Sequence, residues 1–227
     1  MSENIPKSIG IIMDGNRRWA KGKSLLPHDG HKKGYETFKE VLNWCKEKNI
    51  NNVFVYAFSS ENWNRSEMEV EKMMDLLRYI LNEDTGKLRE EKVQVSVLGD
   101  IERFPEDIQE GIRSLEEDTK EFSDFKLGLC LSYGGRGEVV NAVNKIIESG
   151  VEKITEEDFS NYLWSKNMPD PDLIIRTSGE KRLSGFLPWQ GVYSELFFID
   201  TYWPDFSKEE FEAILNEYAE RDRRNGK

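Results

Sequence analysis

Short apolar runs of strand length alternate along this chain with segments whose apolar residues recur every three or four positions, and that alternation restricts the fold more than any other feature. Residues 9–13 form the first such run, closed by Asp14 and Gly15. Tyr35, Phe38, Val41, Leu42 and Cys45 then repeat at helical spacing. Residues 53–58 are β-branched and aromatic and predict a second buried strand. Ser66 and Glu69 have the spacing of a capping box, ahead of a wide apolar helix face on Val70, Met73, Met74, Leu77, Ile80 and Leu81. Residues 93–98 and 127–131 predict the third and fourth strands. Between them a helix opens at Pro105 and carries Ile108, Ile112 and Leu115. A helix over 136–149 follows. Thr155 with Asp158 caps a short helix, residues 173–175 and 196–199 predict two more strands, and Ser207 with Glu210 caps the last helix. That helix turns Phe211, Ile214, Leu215 and Tyr218 inward.

Strand–helix alternation of this kind implies an α/β fold: a single open, mostly parallel sheet of about six strands flanked by helices. With 227 residues, and no internal repeat, low-complexity tract or linker, the chain reads as one domain over residues 1–227. In such sheets ligands bind beyond the carboxyl ends of the strands. The polar residues of greatest chemical interest fall there: Asp14 to Arg18, Ser59 to Arg65, Tyr133 to Arg136, and Arg176 to Ser184.

Charge and composition remove several function classes. A net charge of −11 argues against a general nucleic-acid binder, so no nucleic-acid partner is expected. Cys45 and Cys130 sit in apolar patterns and read as buried reduced thiols, and no Cys/His spacing suggests zinc. No signal-peptide core and no apolar run near the roughly 20 residues of a spanning helix occurs. A cytoplasmic protein is expected, one that can still touch a membrane surface.

Each polar cluster admits a chemical reading. In the first, a strand runs into a Gly turn and a helix start, where backbone N–H groups can hold an anion and Arg17 and Arg18 add charge-assisted bonds. Asp14 stands beside them as a cation ligand, since a carboxylate with phosphate oxygens suits Mg²⁺. A plain Asp-Gly turn with solvated arginines fits this stretch about as well. A phosphatase of the haloacid-dehalogenase kind needs a nucleophilic Asp two positions before Asp14, where Ile12 stands. Residues 58–65 pack Trp63, Asn62, Asn64, Glu61 and Arg65 into one loop, denser in polar chemistry than a simple helix cap requires. The glycines after Tyr133 suit a phosphate loop or close strand–helix packing, but the Lys-Ser/Thr ending of a Walker motif is missing. Arg176, Lys181, Arg182 and Ser184 surround a second Gly turn and suit a diphosphate. Two anion sites, one carboxylate and one apolar helix together suit two diphosphates and an apolar tail.

The sequence resembles the cis-prenyltransferase family, of undecaprenyl diphosphate synthase type, over nearly its whole length. The resemblance rests on residues 12–21, on residues 56–65, on Tyr133, Gly134, Gly135 and Arg136, on residues 172–180, and on residues 186–190 with Tyr193 and Glu195. It implies a Mg-dependent prenyltransferase that condenses isopentenyl diphosphate with an allylic diphosphate, farnesyl or geranylgeranyl. The implied product is a medium-length Z-polyprenyl diphosphate, such as undecaprenyl diphosphate, used as a lipid carrier in glycan or cell-wall assembly. By the same resemblance Asp14 is the Mg²⁺ ligand, supported by Glu195. Gly15, Asn16, Arg17, Arg18, Trp19 and His31 form the allylic diphosphate site, with Arg65 nearby. Arg176, Arg182 and Ser184 form the isopentenyl diphosphate site, and Ser59, Ser60, Glu61, Asn62 and Trp63 lie between the two. Family members are homodimers, and Arg224, Asn225 and Gly226 match a terminal motif that reaches the partner's site. Ala57 is implied at the entrance of an apolar tunnel and Phe125 near its floor.

Two departures stand out. Bacterial members usually carry Gly where Arg17 stands, so Asn16-Arg17-Arg18 is closer to archaeal and eukaryotic members. Pro27 replaces an Arg found four residues before the His in many members, so a loop over residues 22–30 is expected to hold the allylic diphosphate differently. The reaction also takes a proton from C2 of the isopentenyl unit. Asn16, Asn62, Ser60 and the bound diphosphate are the candidate acceptors. A non-catalytic subunit of a heteromeric enzyme is the competing reading, and retention of Asp14 and the arginines argues against it.

Overall fold

Five consecutive residues of the first strand, β1 (Ser8–Ile12), are buried, which only a central strand covered on both faces allows. The computed structural model describes residues 4–222, apart from the side chains of residues 83 and 84, and places β1 inside a six-stranded sheet. The other strands are β2 (Asn52–Ser59), β3 (Val93–Leu98), β4 (Phe125–Tyr133), β5 (Leu173–Arg176) and β6 (Glu195–Phe198). Their order is β3-β4-β2-β1-β5-β6, and every pairing is parallel. The expected open parallel α/β sheet is therefore the fold.

Alternation along the strands sends side chains to two cores. Ile9, Ile11, Val53, Val55, Leu127 and Ile175 face helix α2 (Pro27–Glu47) and the last helix of the chain. Ile12, Phe54, Cys130 and Ile174 face the opposite way, against Phe186, Leu187 and Trp164. Cys45 and Cys130 are both buried and free. The remaining helices, in chain order, are α1 (Asn16–Gly22), α3 (Glu67–Tyr79), α4 (Thr85–Glu90), α5 (Glu106–Thr119), α6 (Gly135–Ser149), α7 (Glu156–Ser160) and α8 (Lys208–Glu220). Side chains on α3 and α5 close a third cluster around Phe58, Met74, Phe104 and Ile112.

Two local expectations need correction. The segment 22–30 is not one loop: α2 already begins at Pro27, with the Asp29 carboxylate accepting the Leu26 N–H at 3.0 Å. Proline at the first helical position starts the helix because its φ is preset and its missing N–H would be unpaired there anyway. Ser66 does precede α3, but no side-chain cap forms at that end. Glu69 turns instead to two arginines, whose charged N–H groups outcompete a neutral backbone donor.

The chain leaves β1 toward β2 and leaves β5 toward β6, in opposite directions across the sheet. A crevice opens above neighbouring strands whose connections part in this way. Asp14 and Arg176 stand at its two sides.

Candidate active site

Residues from opposite ends of the chain meet at the Asp14 carboxylate. Arg176 Nη2 donates to Asp14 Oδ2 at 2.8 Å, and Arg18 Nη2 lies 3.2 Å from Asp14 Oδ1. The Asp14 backbone is fixed as well: its carbonyl accepts from Thr177 Oγ1 at 2.6 Å and from the Trp203 N–H at 3.0 Å. Gly15 turns the chain with φ 106°, and a Cβ there would lie 2.8 Å from the Tyr202 ring, so the turn admits only glycine.

Arg176 is buried, with 5% of its side chain exposed, while the Asp14 side chain is 28% exposed. Arg176 Nη1 donates to Ser184 Oγ at 2.8 Å and to the Arg182 carbonyl. Arg182 pairs with Glu180, whose carboxylate also takes Arg18 Nη1 at 3.2 Å. Ser184 adopts a positive φ of 51°, which curls the loop back over Arg176. The second basic cluster is thus one network joined to the first through Asp14.

On the other side of Asp14 a cavity of about 880 Å³ opens between the sheet, α2 and α3. Polar groups surround its mouth: Asp14, Asn16, Arg17, Arg18, His31, Asn62 and Arg65. Its depth is apolar, walled by Ala57, Met73, Met74, Leu77, Ile80 and Leu131, and ending at Val55 and Leu129. The size falls within the range of small-molecule sites. β2 and β4 lose register around Ala57, where Tyr56 faces Cys130 but Phe58 faces Leu131. This irregularity turns the small Ala57 to the cavity, a common use of such a break beside a site.

Helix α1 crosses α2 very closely. A Cβ on Gly34 would lie 2.1 Å from Asn16 Oδ1, so the glycine is what lets Asn16 sit under the mouth. Asn16 Nδ2 donates to the Met13 carbonyl at 3.0 Å, while its Oδ1 is buried with no partner. His31 Nε2 is likewise buried without a partner. Burial, and next the charge of Arg65, press the His31 pKa down to about 4, so the ring is neutral near pH 7. The Asn62 side-chain oxygen Oδ1 accepts the Ser59 N–H at 3.1 Å and holds the turn after β2.

Several expected site residues are placed elsewhere. Trp19 is buried beneath Lys23, whose Nζ lies 4.4 Å from the ring centre, and it is not on the cavity wall. Trp63 packs on Phe58 and Phe104 and donates to Ser132 Oγ at 3.0 Å. Ser59, Ser60 and Glu61 flank the turn without lining the cavity. Phe125 belongs to the packed core under Lys46, so the cavity floor lies higher, at Val55 and Leu129. Val70 packs in the α3–α5 cluster instead of lining the cavity. Glu195 does not join Asp14 within this chain: it opens β6, at the amino end of the sheet, and binds Arg221 at 2.7 Å. The physical reason is register, since Glu195 faces Leu173 while Asp14 lies beyond Ile12, which faces Arg176. Residues 224–226 lie outside the described residues.

Glu69 is the site residue that the sequence reading missed. Its carboxylate takes Arg65 Nη1 at 2.8 Å and lies 3.3 Å from Arg17 Nε. The signal was present, because Glu69 stands four residues after Arg65, an ion-pair spacing, but the capping-box reading claimed it first.

Mg²⁺ typically keeps several waters and takes one or two carboxylates plus phosphate oxygens. Asp14 fits that demand as a single, partly exposed carboxylate between two cationic groups. Among the described residues no group of three or more His, Cys, Asp or Glu side chains could hold a metal without substrate.

Residues 12–226 match the family model described as putative undecaprenyl diphosphate synthase. An isoprenyl transferase of Fusobacterium nucleatum is 48% identical over all of this chain and 98% of its own length. A geranylgeranyl-diphosphate-specific tritrans,polycis-undecaprenyl-diphosphate synthase of Thermoplasma volcanium is 43% identical over 98% of this chain and 89% of its own. Among solved structures, lavandulyl diphosphate synthase from Lavandula x intermedia, in complex with dimethylallyl diphosphate, superposes with a TM-score of 0.94 at 32% identity, covering all of both chains. A probable undecaprenyl diphosphate synthase from Campylobacter jejuni superposes with a TM-score of 0.84 at 33% identity, also over all of both.

Proposed function

This chain belongs to the cis-prenyltransferase family and is a prenyltransferase, and on that premise we propose that it condenses isopentenyl diphosphate with an allylic diphosphate at the cavity mouth, drawing the growing polyprenyl tail inside. The observation that carries this reading is the joining of the two basic networks through Asp14, directly above an apolar cavity. Relatives named as geranylgeranyl-diphosphate-specific undecaprenyl-diphosphate synthases support that primer and a medium-length product.

Arg17, Arg18, His31 and Arg65 would bind the allylic diphosphate at the mouth, and Arg176, Arg182 and Ser184 the isopentenyl diphosphate. Bringing two polyanions together in line requires these cations to screen their repulsion, and holding both ends fixed supplies much of the acceleration. C4 of the isopentenyl unit bonds to C1 of the allylic chain, the C1–O bond breaks, and diphosphate leaves. Mg²⁺, held by Asp14 and diphosphate oxygens, would neutralise charge gathering on the leaving group. Arg18 and Arg176 orient the Asp14 carboxylate for that task. The buried, partnerless Asn16 Oδ1 supports Asn16 as the group that steers the C2 proton toward the departing diphosphate. A homodimer, a cytoplasmic location and contact with a membrane surface complete the proposal. Among the described residues no helix is long and apolar enough to cross a membrane.

Incorporation of labelled isopentenyl diphosphate with a panel of allylic primers tests the reading. Asp14→Ala should keep its fold and lose roughly 100-fold or more in kcat with both substrates and Mg²⁺ saturating. A folded variant with near-normal turnover would reduce Asp14 to a turn residue.

A further inference from the structure

The cavity mouth is bordered by the connection between α1 and α2, and that connection is built to display leucines to solvent. Lys21, Ser24, Leu25 and Pro27 line the opening. Leu25 is 45% exposed and Leu26 61%. The display is held in place: the Leu25 N–H donates to the Ala20 carbonyl at 2.9 Å, the Ser24 N–H to the Lys21 carbonyl at 3.2 Å, and the Leu26 N–H to the Asp29 carboxylate at 3.0 Å. Two adjacent leucines fixed outward at the rim of an apolar cavity lose burial that a core position would give them, so an apolar phase is their natural partner.

Charge narrows the choice of partner. The chain as a whole is acidic, with 43 Asp and Glu against 32 Lys and Arg. Between residues 17 and 33 the balance reverses, to six Lys or Arg against one Asp. Within that stretch Arg17, Arg18 and Lys23 pair with Glu69, Asp14 and Asp205, and Lys21, Lys32 and Lys33 are the exposed cations that supply the excess. On α2 the cavity-lining residues Pro27, His31, Tyr35 and Phe38 share one face, and Lys32 lies on its flank by helical spacing. An apolar tip in a local basic collar, on an otherwise acidic molecule, matches an anionic lipid surface.

We propose that the α1–α2 connection, through Leu25 and Leu26 and the lysines around them, docks the cavity mouth on an anionic lipid surface. This rests on the reading of the cavity as a polyprenyl site: a tail leaving past Leu25 would pass into acyl chains without crossing water. Leu25 and Pro27 then give the tail an apolar edge across the polar mouth, and the diphosphate end stays among the arginines at the interface.

The full-length protein is sedimented with vesicles of phosphatidylcholine containing phosphatidylglycerol, and with vesicles of phosphatidylcholine alone. Binding is expected to the anionic vesicles, weakening with salt and largely absent on the neutral ones. The double variant Leu26→Glu, Lys32→Glu touches neither Asp14 nor the cavity wall and should lose roughly tenfold or more in vesicle partition, since burial of one leucine is worth about a decade in affinity. Its isopentenyl incorporation in detergent should match wild type, and this assay measures the prenyltransferase reading separately. Wild-type protein that stays in the supernatant, or a variant that partitions like wild type, would overturn the docking. So would light scattering in which the variant changes the oligomeric state, because the leucines would then serve a second copy of the chain.

Discussion

A diphosphate arriving at the cavity meets Glu69 already bound to Arg17 and Arg65, two of the groups proposed to receive it. The carboxylate has to give way, and its charge opposes the ligand. Glu69→Gln keeps the size and removes the charge, so inorganic pyrophosphate should bind about tenfold more tightly by calorimetry. Weaker binding would show that Glu69 orients the arginines instead of competing for them. His31 gives a second test at the same scale. Its folded pKa of about 4 lies below the ordinary 6.5, so between these values the unfolded chain holds a proton that the folded chain does not. The contribution of its neutral ring to stability is complete above pH 6.5 and fades as pH falls toward 4. A bound diphosphate reverses the bias by favouring the imidazolium, so binding at pH 5–6 should take up protons. Calorimetry in buffers of different ionisation enthalpy should show this uptake, and His31→Gln should lower it, leaving only the ligand's own proton exchange. Asp14 and the arginines were legible from sequence because a strand end, a Gly turn and clustered charge coincide there. The role of Glu69 was not, since a three-residue spacing to Ser66 names a cap equally well, and only the placement of Arg17 decides between them.

Secondary elements were legible where period and burial agree. β3 has the expected bounds, and β4 extends two residues beyond its expected run at each end. The start of α2 was hidden, because Gly30 and Gly34 weaken the helical pattern that they serve by admitting α1. The loss of register at Ala57 left no trace in the hydrophobic pattern, since skipping one residue of a buried strand changes its partners and not its composition. Product length belongs to this scale, because the helix and strand walls fix the space for the tail. Ala57→Leu adds three carbons to the wall and should shorten the main product by about one isoprene unit or more. Leu129→Ala removes the same number from the floor and should lengthen it. Chromatography of the dephosphorylated products reads both, and an unchanged distribution for both variants would place the tail elsewhere. Phe125 lies two same-face positions further along β4, beyond Leu127, in the packed core and off the cavity wall.

Across the whole molecule, the site and the fold are the same cooperative unit, because Asp14 lies after the first strand and its partner Arg176 ends the fifth. A ligand that bridges them binds only the folded chain. Pyrophosphate at 100 times its Kd should therefore stabilise the protein by about 2.7 kcal/mol and raise Tm by roughly 5–10 °C at this chain length. With Mg²⁺ present Asp14→Ala should shrink that shift, because the metal then loses its protein carboxylate, and a thermal scan with and without ligand measures both. The fold class was legible from the alternation of strands and helices, whereas the strand order was not. Nothing in the sequence says that β5 inserts beside β1, because parallel pairing between such distant segments leaves no local mark.

That insertion has a consequence during synthesis. A chain that has emerged only through α6 can assemble β3-β4-β2-β1, but β1, buried along its whole length in the finished sheet, then stands as a bare edge. Until β5 docks, the nascent chain exposes an unpaired hydrophobic strand, and Asp14 lacks its partner Arg176. A ribosome stalled after α6 has emerged and before β5 has would therefore hold a chain whose open β1 edge is free to pair with other strands.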